Sequence, residues 1–501
     1  MNARISSIVQ GWLILFFAMF TLPLGAAGIS IYPTDLSLTP STFQINWSTP
    51  ALSVGVPASV GEAAVSPYAA TSETQATNAW SSEYLLKNKG RVKTNLFAVN
   101  GPTHFGVQTG GNVPTVIRSL DNGKTYQSLN LINVLPALPY KQEYEKSHAV
   151  YYVATRGLYV WLFAYSTASS DNDTTLRVAS SPDLVNWTLY DISTWGQTDR
   201  STMSATLDYL HISSGYEEDF SYYAYLYRLP LNEIVGGLPL TAQRVSTRYL
   251  GENSCSPGVW RYAESLVPLS RAYAASGGCV APFVDLFSWG DADLAAIKDQ
   301  VVIDGVKNYG YSCVTPSGIN VCDRYGYEGS GYLSMIGSGL VVGPITKTDG
   351  TIVNSALLFS WLAAQDASHP YPYQVIMRLD ATNFQLIDTS AIWSNQNAWF
   401  DVRLGVNRYG EVGGVLHGAG ALDHPFLAAV FMSGESTQNP EWGGVAHVIR
   451  RGDYTPADGN LDFIGLVPDS AESTRWWATG MVQEGGDDLA HRNILRYLIS
   501  K

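Results

Sequence analysis

The chain has 501 residues, with 30 Lys and Arg against 43 Asp and Glu, a formal charge of −13. Hydrophobic residues make up 46%, charged residues 15% and aromatics 12%, led by 30 Tyr and 14 Trp. Such a chain is not intrinsically disordered, which would require more charge and fewer aromatics. It also has no surplus of positive charge with which to neutralise nucleic-acid phosphates.

Residues 1–27 read as a secretory signal peptide. Arg4 is the one charge of a short n-region, an apolar run extends from Trp12 to Phe20, and Gly25, Ala26, Ala27 and Gly28 supply a small-residue exit. The competing reading is an uncleaved anchor, since the apolar stretch reaches about 20 residues when Ile8 and Val9 are counted. Pro23 and the small residues favour cleavage, and no later segment is apolar enough to span a membrane. Residues 28–80 form an extended Ser-, Thr- and Pro-rich segment, and residues 81–501 form the main domain.

From residue 81 onward, short runs of Tyr, Val, Phe, Leu and Ile alternate with Gly, Asn, Asp, Ser and Pro clusters. Examples are Leu96-Phe-Ala-Val, Ala149-Val-Tyr-Tyr-Val and Leu158-Tyr-Val-Trp-Leu-Phe-Ala-Tyr. The pattern predicts an all-β chain. One helix is expected over Asp291–Asp299 with Asp291 as its N-cap, and residues 487–500 read equally as a helix or a closing strand. Cys255, Cys279, Cys313 and Cys322 are an even set in an exported chain and imply two disulfides. Three pairings are open, the most local being Cys255–Cys279 with Cys313–Cys322. Neither C-x-x-C spacing nor clustered His is present, so no metal and no cofactor is implied.

The most informative stretch is Ser119-Leu-Asp121-Asn-Gly123-Lys-Thr125-Tyr126. It fits a hairpin turn in which Gly123 takes positive φ, Asp121 satisfies turn amides and Tyr126 packs inward. A degenerate copy follows at Ser181-Pro-Asp183-Leu-Val-Asn-Trp187, 62 residues later, and Leu379-Asp380-Ala-Thr-Asn383-Phe384 is a weaker echo. The first stretch resembles the Asp-box (BNR) repeat of sialidase-like β-propellers. The second also resembles the S-x-D-L-x-x-W element of five-bladed furanosidase and xylosidase propellers. The resemblance implies a β-propeller. Allotting residues 75–501 at about 62–75 per blade gives six or seven blades. Six is favoured, five is open, and the N-terminal segment or the C-terminal tail completes the last blade. A pair of β-sandwiches is the alternative fold. Asp401 to His417 reads as an inner strand, a tight turn and a second strand.

In such a fold the turn residues are structural, and chemistry gathers where inner strands and their leading loops meet the channel. Acidic candidates there are Glu143, Glu328 and Asp401, with Glu145, His148 and Asp199 near other inner-strand starts. Arg200, Arg403 and Arg475 are candidates to grip a ligand, and Trp476 with Trp477 could stack on a sugar ring. A sialidase uses arginines to hold the sugar carboxylate, a Tyr activated by a Glu as nucleophile, and an Asp as acid/base. The chain has 20 Arg and abundant Tyr, but the family's Phe/Tyr-Arg-Ile-Pro motif ahead of the first box is absent. A furanosidase-type site would need three carboxylates instead. The resemblance implies a carbohydrate or cell-surface glycoconjugate as partner. The other class is a non-catalytic propeller that serves as an adhesin or binds a protein at the cell surface.

Overall fold

A computed structural model describes most of residues 94–500, interrupted chiefly at 135–148, 249–259, 304–335, 456–463 and 487–491. Ahead of these it describes the backbone of strands Ile29–Leu38, Ser41–Ile45, Trp47–Ser48, Ser66–Ala69 and Trp80–Lys87. The signal peptide, the four cysteines, Glu143, Glu145, His148, Glu328, Thr125 and Tyr126 lie outside the described residues.

The chain folds as a β-propeller. Among the described residues, seven antiparallel sheets of four or five strands follow one another in sequence. Their innermost strands are Thr94–Asn100, Ala149–Val153, Gln197–Ala205, Arg261–Tyr262, Ser338–Val342, Asn397–Val406 and Gly465–Pro468. Each neighbours the next, and the seventh neighbours the first, so they encircle a central channel. Seven is the upper of the two counts that residue spacing allows, one more than the favoured six. The difference arises because some blades are shorter than assumed: Ala149 and Gln197, which begin successive inner strands, are fewer than 62 residues apart.

Both ends of the chain close the ring. Arg492–Ser500 is the third strand of blade 7, and Trp80–Lys87 pairs with it as the fourth. The open reading of the tail thus resolves to a strand. Farther upstream, Ile29–Leu38, Ser41–Ile45 and Trp47–Ser48 add a fifth strand to blades 4, 3 and 2. The helix expected over Asp291–Asp299 is not formed. Asp293 accepts the Gly290 amide (3.0 Å) to close a turn, and Ala296–Ile303 pairs with Phe283–Gly290 as the next strand. The β-branched run Val301-Val-Ile303 fits a pleated sheet better than a helix. Among the described residues the α-helix is Leu231–Gly236, between the third and fourth strands of blade 3. No described helix is long and apolar enough to cross a membrane.

The sequence texture follows from burial on two faces. In Leu158–Ser166, Leu158, Val160, Leu162 and Ala164 join the core shared with blade 3. The alternate residues Tyr159, Trp161, Phe163 and Tyr165 join the core shared with blade 1. This strand is therefore apolar throughout, with large side chains on one face and smaller ones on the other. Similar cores lie between later blades, and His104 meets Trp477 edge-on at 5.0 Å where blades 1 and 7 join.

The three sequence turns occupy equivalent places, linking third to fourth strands in blades 1, 2 and 5. In the first, Ser119 Oγ donates to Asp121 (2.7 Å) and accepts the Gly123 amide (2.8 Å), with Gly123 at φ +76°. In the second, Asp183 accepts the Val185 and Asn186 amides at 2.8 and 2.7 Å, and Trp187 is buried against Phe105. These bonds hold the Asp183 carboxyl below its ordinary value, against the opposing effect of its partial burial. In the third, Phe384 has positive φ and is buried, while Asp380 accepts the Thr382 amide.

Arginines on third strands tie blades together. Arg177 pairs with Asp191 across its own blade at 2.6 Å and donates to the Val134 carbonyl. Arg378 pairs with Asp388 and donates to the Glu435 and Thr437 carbonyls of blade 6. Arg228 reaches the Gly290 and Asp293 carbonyls of blade 4 and lies over the Trp289 ring.

Arg378 and Asp388 are both buried, so Asp388→Ala would leave an uncompensated buried cation. The expected loss is about 3–5 kcal/mol, measured by urea unfolding. A second expectation concerns pH. Burial, assisted by Arg228, pushes the His211 imidazole down to about 3, whereas in the unfolded chain it titrates at about 6.5. Only the unfolded state takes up this proton between those values. The group's stabilisation is therefore complete above about pH 6.5 and is lost as pH falls toward 3. Thermal unfolding from pH 7 to 4 should show a decline that is shallower in His211→Gln.

Candidate active site in the central channel

Inner strands from three alternate blades bring charged side chains together around the channel. Blade 4 supplies Arg261 and Glu264. The strand bearing them is fixed because the Trp260 carbonyl accepts hydroxyls from Thr202 (2.6 Å) and Ser213 (2.8 Å) of blade 3. Glu264 is then clamped to blade 5: its amide donates to Gly339 (2.9 Å) and its carbonyl accepts from Val341 (2.8 Å). Its side chain is exposed to solvent although protein surrounds it, as expected of a group facing a solvent-filled channel. Enclosure raises its carboxyl above the ordinary value, and the charges of Arg261 and Arg403 oppose that rise.

Blade 6 supplies Arg403. The Leu404 amide donates to the Ser338 hydroxyl of blade 5 at 3.0 Å, which holds this part of the strand in place. Arg403 is half-buried, and its Nη1 is buried with no hydrogen-bond partner among the described residues. Blade 2 supplies Tyr151, whose hydroxyl is bonded to the Ser204 side chain and the Ala205 backbone. Burial pushes this phenol up to about 12, the Glu264 charge adds to the rise, and the two hydrogen bonds oppose it.

The cluster is therefore a Tyr–Glu pair with two guanidinium groups. Enclosure makes the Glu264 carboxylate a better proton acceptor than a free one, and the two arginines temper that gain. A guanidinium with an unused N–H can accept a bidentate anionic group.

Of the residues singled out from sequence, Arg403 joins this cluster. Asp401 lies on the same strand, where pairing with Val412–Gly420 slips between Trp399 and Val402. Arg200 occupies the matching slip in blade 3, between Asp199 and Thr202. The structure describes the backbone of both residues only. Arg475 does not converge here: it bridges to Asp469 at 2.8 Å across the hairpin between the first two strands of blade 7. Trp476 is fully buried against Phe431 and cannot stack on a ligand, and Trp477 is likewise interior and donates to Asp469. The large apolar faces that suggested sugar stacking instead fill the core between blades.

Sequence reasoning missed Glu264, Arg261 and Tyr151. The available signal was the stretch Trp260-Arg261-Tyr-Ala-Glu264, in which two charges interrupt an apolar strand where a blade begins.

No family model matches the chain, and no curated protein matches it. Solved structures similar to it include the GH93 α-L-arabinofuranosidase of Fusarium graminearum in complex with arabinobiose. That likeness has 12% identity over 68% of this chain and 94% of that one, with a TM-score of 0.38. Another is the Penicillium chrysogenum α-L-arabinanase complexed with arabinobiose (11% identity, 68% and 94% coverage, TM-score 0.35). A third is the WD40 domain of SCAP from fission yeast (7%, 94% and 94%, 0.36). Likenesses of this size say nothing about chemistry.

Because the Glu264 charge helps raise the Tyr151 pKa, Glu264→Gln should move it below about 12. Difference absorbance titration, with and without Tyr151→Phe, isolates this phenol from the other tyrosines. An unchanged value would mean that the two groups do not interact.

Proposed function

We propose that the protein is an exported, carbohydrate-acting propeller of the sialidase-like type, with Tyr151, Glu264, Arg261 and Arg403 as its sugar site. The observation that carries this reading is the buried Nη1 of Arg403, which has no hydrogen-bond partner among the described residues, beside a Tyr–Glu pair. Burying a cationic donor without a partner is costly, and a bound anion would satisfy it. The sequence resemblance and the signal-like N-terminus support an extracellular glycan as the source of that anion.

In this scheme Arg261 and Arg403 hold the carboxylate of an acidic sugar. At rest Tyr151 is a neutral phenol. Its proton passes to Glu264 as positive charge builds at the anomeric carbon, and the phenolate oxygen bonds there as the glycosidic bond breaks. Asp401 is the candidate acid that protonates the leaving oxygen. Water then gives a proton to Asp401 as its oxygen bonds to the anomeric carbon, the glycosyl–tyrosine bond breaks, and Glu264 returns its proton to the Tyr151 oxygen, completing hydrolysis with retention. A phenol avoids the repulsion that a carboxylate nucleophile would meet next to the sugar's own carboxylate.

A second reading, a non-catalytic glycan-binding module, is favoured by one observation. A phenol raised to about 12 serves more readily as a hydrogen-bond donor than as a nucleophile.

The mature protein, beginning at Ala27 or Gly28, should be assayed on fluorogenic α-sialoside, α-arabinofuranoside and β-xyloside substrates. Sialoside turnover is expected, falling by about 100-fold or more in Arg403→Ala and Glu264→Gln. Turnover of a neutral pentoside that survives Arg403→Ala would move the chemistry to carboxylates alone. No turnover together with retained glycan binding would establish the binding module.

A further inference from the structure

We propose that Trp393, His369 and Tyr373, on the outer part of blade 5, form a stacking platform for one ring of an extended neutral oligosaccharide. Among the described residues most tryptophans are interior, and Trp442 is half-buried. Trp161, Trp187, Trp260, Trp289, Trp361 and Trp476 are almost completely buried, whereas Trp393 is 51% exposed. Its indole is not a loose surface ring. It meets His369 edge-on at 5.1 Å and 87°, and His369 in turn stacks on Tyr373 at 4.0 Å and 23°. Gln374 pairs with Ile392, so Tyr373 and Trp393 lie side by side where their strands end. The indole thus packs against His369, which is itself backed by Tyr373, while half its surface stays in water.

An ordered, exposed aromatic ring is suited to the apolar C–H face of a sugar, which it covers while the sugar's hydroxyl groups stay hydrated. None of the three rings offers the guanidinium fork that a carboxylate would require, so the platform differs in chemistry from the channel.

Position makes it a remote subsite. The second and fourth strands of blade 5, Ala356–Ala363 and Leu386–Ile392, both end on the face where each inner strand begins. Trp393 opens the short segment that enters the inner strand of blade 6, which carries Arg403. Trp393 lies ten positions before Arg403, a length of chain that spans at most about 36 Å. Within it Asn397 to Arg403 lies along one strand and rises roughly 20 Å, so one sugar unit is too short to reach from the start of that strand to Arg403, and a chain of several units is required. The role as a subsite of the channel rests on the proposed function; the stacking itself does not.

The test uses the mature chain and measures binding of cellohexaose, xylohexaose and arabinohexaose by calorimetry and intrinsic fluorescence, with the monosaccharides as controls. At least one hexasaccharide should bind, with affinity falling on the order of tenfold in Trp393→Ala. It should hold in Trp393→Tyr, which keeps an aromatic face. The monosaccharides should not show this dependence. An unchanged hexasaccharide affinity in a folded Trp393→Ala variant, or no hexasaccharide binding by the wild-type chain, would overturn the proposal. Failure of the fluorogenic assay would leave this binding measurement standing, so the two ideas can fail separately.

Discussion

Closure of the ring is the constraint on which the rest of the structure depends. A blade buries both faces, so no blade can be stable without a neighbour on each side, and the row of sheets must return to its start. Here Trp80–Lys87 makes that return by pairing with Arg492–Ser500. Blade 7 is thereby built from both halves of the chain. Its inner strand Gly465–Pro468 lies beside Thr94–Asn100 of blade 1. The hydrophobic cores are consequences of the same closure, since they lie between blades rather than within them.

The closed ring sorts arginine into two environments. On third strands, Arg177 and Arg378 each have a carboxylate across their own sheet and carbonyls to reach beyond it. These cations are fully engaged, and their return is structural: they fix how far one blade can turn against the next. On inner strands the outward neighbours are replaced by the channel. Arg403 consequently retains a buried nitrogen without a partner among the described residues, and Glu264 faces solvent in the middle of the protein. The same residue type is mechanical at one radius and available for a ligand at another.

What the sequence disclosed follows the range of the interactions involved. The turns at Ser119 and Asp183 were legible because their bonds run between residues two to four apart. The strand pair from Asp401 to His417 was legible for the same reason, being a hairpin closed by Asn407 and Gly410. The helix expected over Asp291–Asp299 failed because acidic residues near its start also close turns, and sheet pairing decided between the two. Trp476 was misread because exposure is a tertiary property; a Trp-Trp pair looks alike on a surface and between blades. The channel cluster was hardest to find. Tyr151, Glu264 and Arg403 meet only through ring closure, and the spacing between them in the chain carries no period.

The separation of the site across blades 2, 4 and 6 also bears on how it is held. Glu264 owes its place less to its own short strand than to backbone bonds with Gly339 and Val341 in blade 5. Arg403 owes its place in part to Ser338, on that same strand of blade 5. One inner strand, Ser338–Val342, therefore positions both halves of the opposing-charge pair without contributing a charged side chain to it. A blade that carries none of the cluster's side chains sets the geometry of two of them. Changes in blade 5 packing should accordingly be felt at the channel before they are felt in blades 2 or 3. A site built this way is rigid because its supports are backbone bonds and buried hydroxyls, which have little freedom to relax.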